Sequence, residues 1–152
     1  MLFKPAKLSL RSVLFVCTAN ITRSTTAEAL FKYHTDKLYD KWDVSSAGVK
    51  ALTRSFPLRG ENPHTVVRNY LRDIKNIRNY SHHSQQITKR LLRKYYWILV
   101  MEKAHKDYIN KLGVPLENRM FTVREFGLNQ PPDETDMPDP TNMERENYEQ
   151  LF

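Results

Sequence analysis

The chain has 152 residues, 40% of them hydrophobic, enough for a single domain over 1–152 with a substantial core and a short N-terminal extension, 1–10. One cysteine excludes an internal disulfide and any multi-cysteine zinc site, and it suits a reducing compartment. The net charge of +7 favours acidic partners, while the lack of a membrane-length or signal-type apolar run gives a cytoplasmic reading without membrane insertion, export by a non-Sec route staying open.

Residues 12–16 are the first expected strand, because Val13-Leu14-Phe15-Val16 is a continuous run rich in β-formers. Cys17 closes it. Thr25 as N-cap and Glu28 as its return partner form a capping box for a helix over 25–38. The apolar face of that helix is Ala29, Leu30 and Tyr33, widened by Ala27 and Phe31. Trp42 to Ser46 reads as a second strand stopped by Ala47-Gly48, and 49–61, with Pro57 and Gly60, as a loop. Asn62-Pro63 starts a helix whose buried stripe is Val66, Val67, Tyr70 and Leu71. The stretch 74–84 is irregular, and Thr88 caps a short helix carrying Leu91 and Leu92.

Tyr95 to Met101 is nearly all apolar, as expected of a strand covered on both faces. A helix follows from about Lys103 to Lys111, ended by Gly113 and Pro115, and Arg119 to Val123 is the last strand. Residues 126–142 are polar and proline-rich, and 143–152 begins a final helix that is short or truncated. Strands alternating with helices predict an α/β domain: a four-stranded parallel sheet, helices on both faces, and the ligand site at the carboxyl ends of the strands. The basic clusters at 68–72 and 89–94 interleave with leucines and read as solvated helix faces. A nucleic-acid surface is the weaker alternative, resting on charge alone.

Cys17-Thr18-Ala19-Asn20-Ile21-Thr22-Arg23-Ser24 lies between the first strand and the first helix. One such loop can bring a thiolate, a ring of backbone N–H donors and a guanidinium to the same phosphate. A helix N-terminus beside the thiol favours its charged form. Taken alone, the loop is equally compatible with a buried structural thiol. Phosphoryl transfer through cysteine also needs an acid, first for the leaving group and then for water. Asp133, Asp136 and Asp139 follow in one late stretch, and prolines on both sides of Asp139 stiffen its surroundings. Without the cysteine loop this stretch reads as polar surface.

Together these segments resemble the low-molecular-weight protein tyrosine phosphatase family from about Ser12 to Phe152. Cys17 to Ser24 resembles its phosphate loop, and Ser45-Ser46-Ala47-Gly48 the end of its second strand. Ser81 to Thr88 is similar to its histidine-containing segment, Ile98 to Glu102 to the strand before its fourth helix, and Met137-Pro138-Asp139-Pro140 to its general-acid loop. The resemblance implies a phosphomonoesterase, most naturally acting on phosphotyrosine in proteins, with Cys17 as nucleophile and phosphocysteine carrier. It implies phosphate binding by the backbone of Thr18, Ala19, Asn20, Ile21, Thr22 and Arg23, with a bidentate contact from the Arg23 guanidinium. Asp139 becomes the acid and then the base. Ser24 supports the sulfur, and Asn20, Ser46 and His82 hold the loop's backbone, asparagine being tolerant of left-handed geometry. No metal or cofactor is implied.

Several positions depart from the family's pattern. Ala19 stands for the usual glycine, Thr22 for a second cysteine and Thr25 for a proline. Thr18 is polar where the cleft is often apolar, Leu52 lies near a usual aromatic, and Thr141-Asn142 replace tyrosines. These changes thin the aromatic walls around a phenol ring. They leave open a catalytically weak phosphate- or phosphopeptide-binding module of the same fold. Arsenate reduction is a poorer fit, because no further cysteine exists to resolve a thiol–arsenate adduct. The oligomeric state is not legible.

Overall fold

Every residue of β1 (Ser12–Cys17) is buried, which only a central strand with both faces covered can achieve. The computed structural model describes residues 7–51, 53–55, 58–60, 65–78, 80–128 and 136–138. Along the chain β1 is followed by α1 (Arg23–Lys37), β2 (Asp43–Gly48), β3 (Thr53–Ser55), β4 (Leu58–Gly60) and α2 (Thr65–Asp73). Then come α3 (Lys89–Lys94), β5 (Trp97–Val100), α4 (Lys103–Asn110), β6 (Met120–Thr122) and α5 (Val123–Leu128). The main sheet is four-stranded and all parallel, in the order β2-β1-β5-β6. Among the described residues no helix is long and apolar enough to cross a membrane.

Alternation along β1 divides the core. Leu14 and Val16 pack with Leu91, Leu92 and Ile109 on the face covered by α3 and α4. Val13, Phe15 and Cys17 point the other way, toward Ala27 and Phe31 of α1 and Val123 of α5. A third cluster joins Ala29 of α1 to Val67, Tyr70 and Leu71 of α2, so the stripe expected on that helix is the one it buries. The chain leaves β1 for β2 on one side and then returns to β5 on the other. The reversal opens a crevice at the carboxyl end of β1, where Cys17 sits.

Several expected boundaries move. β2 runs on through Ala47 and Gly48, because those residues pair with Val16 and Cys17 and Gly48 bridges to Gln86. Part of the expected loop 49–61 is an antiparallel hairpin, β3 with β4, outside the main sheet. β5 and β6 are shorter than the expected strands, and α5 forms where only strand end and loop were expected. α1 begins at Arg23 with Thr22 as its N-cap, not at a Thr25 capping box. Thr25 is buried and donates its hydroxyl to the Asn20 carbonyl, 3.1 Å away. Thr88 does cap α3, accepting from the Leu91 N–H at 3.2 Å. The expected helix start at Asn62-Pro63 and the expected helix at 143–152 lie outside the described residues.

Gly48 shows how tightly β2 backs the cysteine loop. A methyl group there would run into the Thr18 carbonyl oxygen and sit 3.1 Å from both the Ala19 carbonyl carbon and the Asn20 Cβ. Gly48→Ala therefore displaces the loop. We expect it to lower stability by about 1–3 kcal/mol, the usual range for overpacking, read as a lower denaturant midpoint at constant slope. An unchanged midpoint would show that the loop yields without cost.

Candidate active site

The Cys17 sulfur is fixed from two sides. The Asn20 N–H donates to Sγ at 3.2 Å, and the Ser24 hydroxyl lies 2.9 Å from it. The Asn20 amide donates to Ser24 Oγ at 2.8 Å, which leaves the serine hydrogen to point at the sulfur. The same amide donates to Ser46 Oγ at 2.9 Å, and Ser46 donates to the Glu28 carboxylate at 2.5 Å. A continuous chain of polar groups thus runs from Glu28 through Ser46, Asn20 and Ser24 to the sulfur. Only its last member, the Ser24 hydroxyl, reaches the sulfur, where it joins the Asn20 backbone N–H.

Asn20 holds the turn in the left-handed region, with φ of 59°. Its side-chain oxygen accepts from the Gln85 N–H at 3.0 Å. Its carbonyl accepts from His82 Nε2 at 2.9 Å. The other ring nitrogen of His82 lies 3.3 Å from Glu28. Lys32 bonds Glu28 at 2.6 Å, and the Tyr80 hydroxyl lies 3.2 Å from it. Burial pushes the Glu28 carboxyl up, but hydrogen bonds from His82, Lys32 and Ser46 and the charge of Lys32 outweigh it. The result is a pKa of about 2 in place of 4.5.

Arg23 is buried at the start of α1, with 2% of its surface exposed. Its Nη1 pairs with the Glu102 carboxylate and donates to the Met137 carbonyl at 2.6 Å. Nη2 reaches Thr18 Oγ1 at 3.4 Å. Glu102 is also the N-cap of α4, in a capping box with His105. The Glu102 N–H donates to His105 Nδ1 at 3.1 Å, so in the neutral ring Nε2 carries the hydrogen and turns it to Thr18 Oγ1, 3.0 Å away. Beside this loop a cleft of about 580 Å³ is lined by Thr18, Val49, Lys50, Ala51, Gln86 and Tyr108.

Cys17, Asn20, Arg23, Ser24, Ser46 and His82 therefore meet around one loop, with Thr18, Ala19, Ile21 and Thr22 forming its rim. Asp139 lies outside the described residues, as do Leu52, Thr141 and Asn142. Sequence reasoning missed Glu28, Glu102 and His105. Glu28 drew notice only as a capping residue, and His105 received no role. One local signal did exist for the last two: an acidic residue three positions before a histidine at a helix start.

The sequence model of the family described as low molecular weight phosphotyrosine protein phosphatase matches residues 12–152. A Mus musculus protein named low molecular weight phosphotyrosine protein phosphatase is 31% identical over 137 residues, covering 89% of this chain and 82% of its own. A Bacillus subtilis protein named protein-arginine-phosphatase is 32% identical over 114 residues, covering 75% of this chain and 71% of its own. The solved structure of a low molecular weight protein tyrosine phosphatase from T. tengcongensis aligns with a TM-score of 0.77 at 28% identity, covering 92% of this chain and 88% of that one.

The lowered Glu28 pKa has a definite consequence for stability. A carboxyl depressed by folding stabilises the fold fully above its unfolded value, near 4.5, and loses that contribution as pH falls toward about 2. Glu28→Gln is expected to cost on the order of 2–3 kcal/mol at pH 7, with the gap to wild type closing between pH 4.5 and 2. Denaturant melts across that range measure it. A gap independent of pH would show that the carboxylate's charge is not what holds the network.

Proposed function

The chain belongs to the low molecular weight phosphotyrosine protein phosphatase family, and from that premise we propose that it hydrolyses phosphotyrosine in protein substrates with Cys17, Arg23 and Asp139 as the acting groups. The observation that carries the reading is the sulfur itself. Cys17 Sγ has the Asn20 N–H at 3.2 Å and the Ser24 hydroxyl at 2.9 Å, at the mouth of a strand-to-helix loop. A structural thiol in an apolar core has no use for two aligned donors.

The reaction runs in two halves. The Cys17 thiolate forms a bond to phosphorus while the ester P–O bond breaks, and Asp139 gives its proton to the departing phenol oxygen. Water then attacks the phosphocysteine. Asp139, now a carboxylate, takes the water's proton, the P–S bond breaks and inorganic phosphate leaves. The Ser24 hydroxyl stabilises the returning thiolate, and Arg23 with the loop amides takes up charge on the phosphoryl oxygens. Those groups supply the positive charge, so the reading calls for no metal or cofactor. Covalent geometry supports Asp139 as the acid: two residues of chain span about 7 Å at most. Met137, two residues before Asp139 in the sequence, contacts Arg23 through its carbonyl.

The cleft supports phosphotyrosine over phosphoarginine, the substrate named for the Bacillus subtilis relative. Its described lining offers Val49 and Ala51 as apolar contacts, and Thr18, Gln86 and Tyr108 as neutral polar ones. The one charge among them is Lys50. A guanidinium leaving group would meet that like charge without a carboxylate among the described lining residues to pair with. A phenol ring meets no such penalty.

Acid-quenching a reaction with a phosphotyrosine peptide is expected to leave phosphate mass on the Cys17 peptide. Cys17→Ser should abolish turnover, and Asp139→Asn should slow it by roughly 10²–10³-fold. Turnover by Cys17→Ser equal to wild type would remove the mechanism. Faster hydrolysis of a matched phosphoarginine peptide would move the assignment to the other substrate class.

A further inference from the structure

We propose that Asp136 is a positioning residue for the leaving-group step. It clasps the chain that leads into Asp139 onto the first turn of α4, and through Met137 onto Arg23. The proposal rests on the reading of Asp139 as the general acid.

Two consecutive residues, Asp136 and Met137, are held at five points. The Asp136 carboxylate accepts from the Lys103 N–H at 2.7 Å, and its carbonyl accepts from Arg124 Nη1 at 3.1 Å. The Met137 N–H donates to the Met101 carbonyl at 2.8 Å. The Met137 carbonyl accepts from Arg23 Nη1 at 2.6 Å. Its side chain is buried in the cluster that contains Phe15, Cys17 and Met101. Met101 in turn donates its N–H to Val16 at 3.0 Å, one residue before the nucleophile. The segment is therefore built into the carboxyl edge of the sheet.

Asp136 is the only one of these anchors whose contact is made by a side chain to a helix end. The first N–H groups of a helix have no partner inside it, and a neighbouring residue usually caps them. Here the local candidate, Glu102, spends its carboxylate on Arg23 and on the His105 N–H. The Lys103 donor is left to an aspartate 33 residues away. A bond borrowed over that distance couples two segments: the Lys103 N–H keeps its partner only while residues 136–138 stay docked, and it is one of the five anchors that dock them. Pro138 then restricts the single link between Met137 and Asp139. The chain segment that precedes the acid is thus joined to the phosphate-binding arginine through Met137.

Loss of the clasp should spare thiolate attack and impair protonation of the departing oxygen. The test compares kcat/KM for phenyl phosphate, a poor leaving group, with 2,4-dinitrophenyl phosphate, a good one, in the full chain. Asp136→Ala should lower the phenyl phosphate value about tenfold or more and leave the dinitrophenyl value within about twofold. Asp136→Asn, which keeps an acceptor oxygen, should recover most of the loss. Lys103→Pro removes the same hydrogen bond from the other side, and proline suits the first helical position, so this variant serves if Asp136→Ala does not fold. Equal losses on both esters, or no loss on either, would overturn the proposal while leaving the phosphatase reading intact. A wild-type chain with no Cys17-dependent turnover of either ester would overturn both.

Discussion

Arg23 carries a full charge into an interior that leaves it 2% exposed, and an unpaired ion there would cost several kcal/mol. Its partners come from distant chain: Glu102 lies 79 residues away and the Met137 carbonyl 114. A buried pair of this kind adds little net stability over well-packed apolar side chains. Its value lies in geometry. Because the guanidinium fork has fixed directions, the loop 17–23, the start of α4 and the segment 136–138 can be satisfied only in one mutual arrangement. The catalytic crevice is what that arrangement leaves open.

The loop itself stores strain that the rest of the molecule must hold. Asn20 adopts φ of 59°, at the low end of the roughly 1–3 kcal/mol that such a backbone costs a non-glycine residue, because asparagine tolerates it. Thr22, the helix cap, keeps a buried hydroxyl with no hydrogen-bond partner among the described residues, at a comparable cost of about 1–3 kcal/mol. Both lie within three residues of Arg23. Against them stand the Asn20 side chain, shared between Ser24, Ser46 and Gln85, and the Glu28 carboxylate, with bonds from Ser46, Lys32 and His82. The network resists relaxation because its donors and acceptors are buried and mutually satisfied. Letting Asn20 return to ordinary dihedrals would strand several of them at once.

This division also explains what could be read from residues alone. Apolar runs located β1 and β5, and a cap located α3, because burial and capping are local properties of sequence. The Thr25–Glu28 pattern was of the right type for a helix start and was used otherwise: buried Ser46 and His82 and half-exposed Lys32 offer Glu28 charge-assisted bonds that a solvent-facing capping box cannot match. The hairpin of β3 and β4 lacked the usual alternation, and α5 is too short to announce itself by period. Cys17, Asn20, Arg23, Ser24, Ser46 and His82 were legible as a set through family resemblance. Glu102 and His105 carried only a local capping signal, and Asp136 none: their bonds to Arg23, Thr18 and Lys103 are made only after the sheet has brought its carboxyl edge together.

Two polar systems, one around the sulfur and one around the arginine, meet at adjacent residues. Ser24 and Arg23 are neighbours in the first turn of α1, and successive residues of a helix point about 100° apart. Ser24 thus faces Cys17 and Asn20, while Arg23 faces Glu102 and Met137. Neither side chain can shift alone, because both hang from the same rigid turn. An anion that draws Arg23 inward must pull against its bonds to Glu102 and Met137, and the same turn carries the hydroxyl that steadies the thiolate. The position of one short helical turn therefore sets the nucleophile's environment and the phosphate's grip together, which is why the chain can place both with a single strand-to-helix connection.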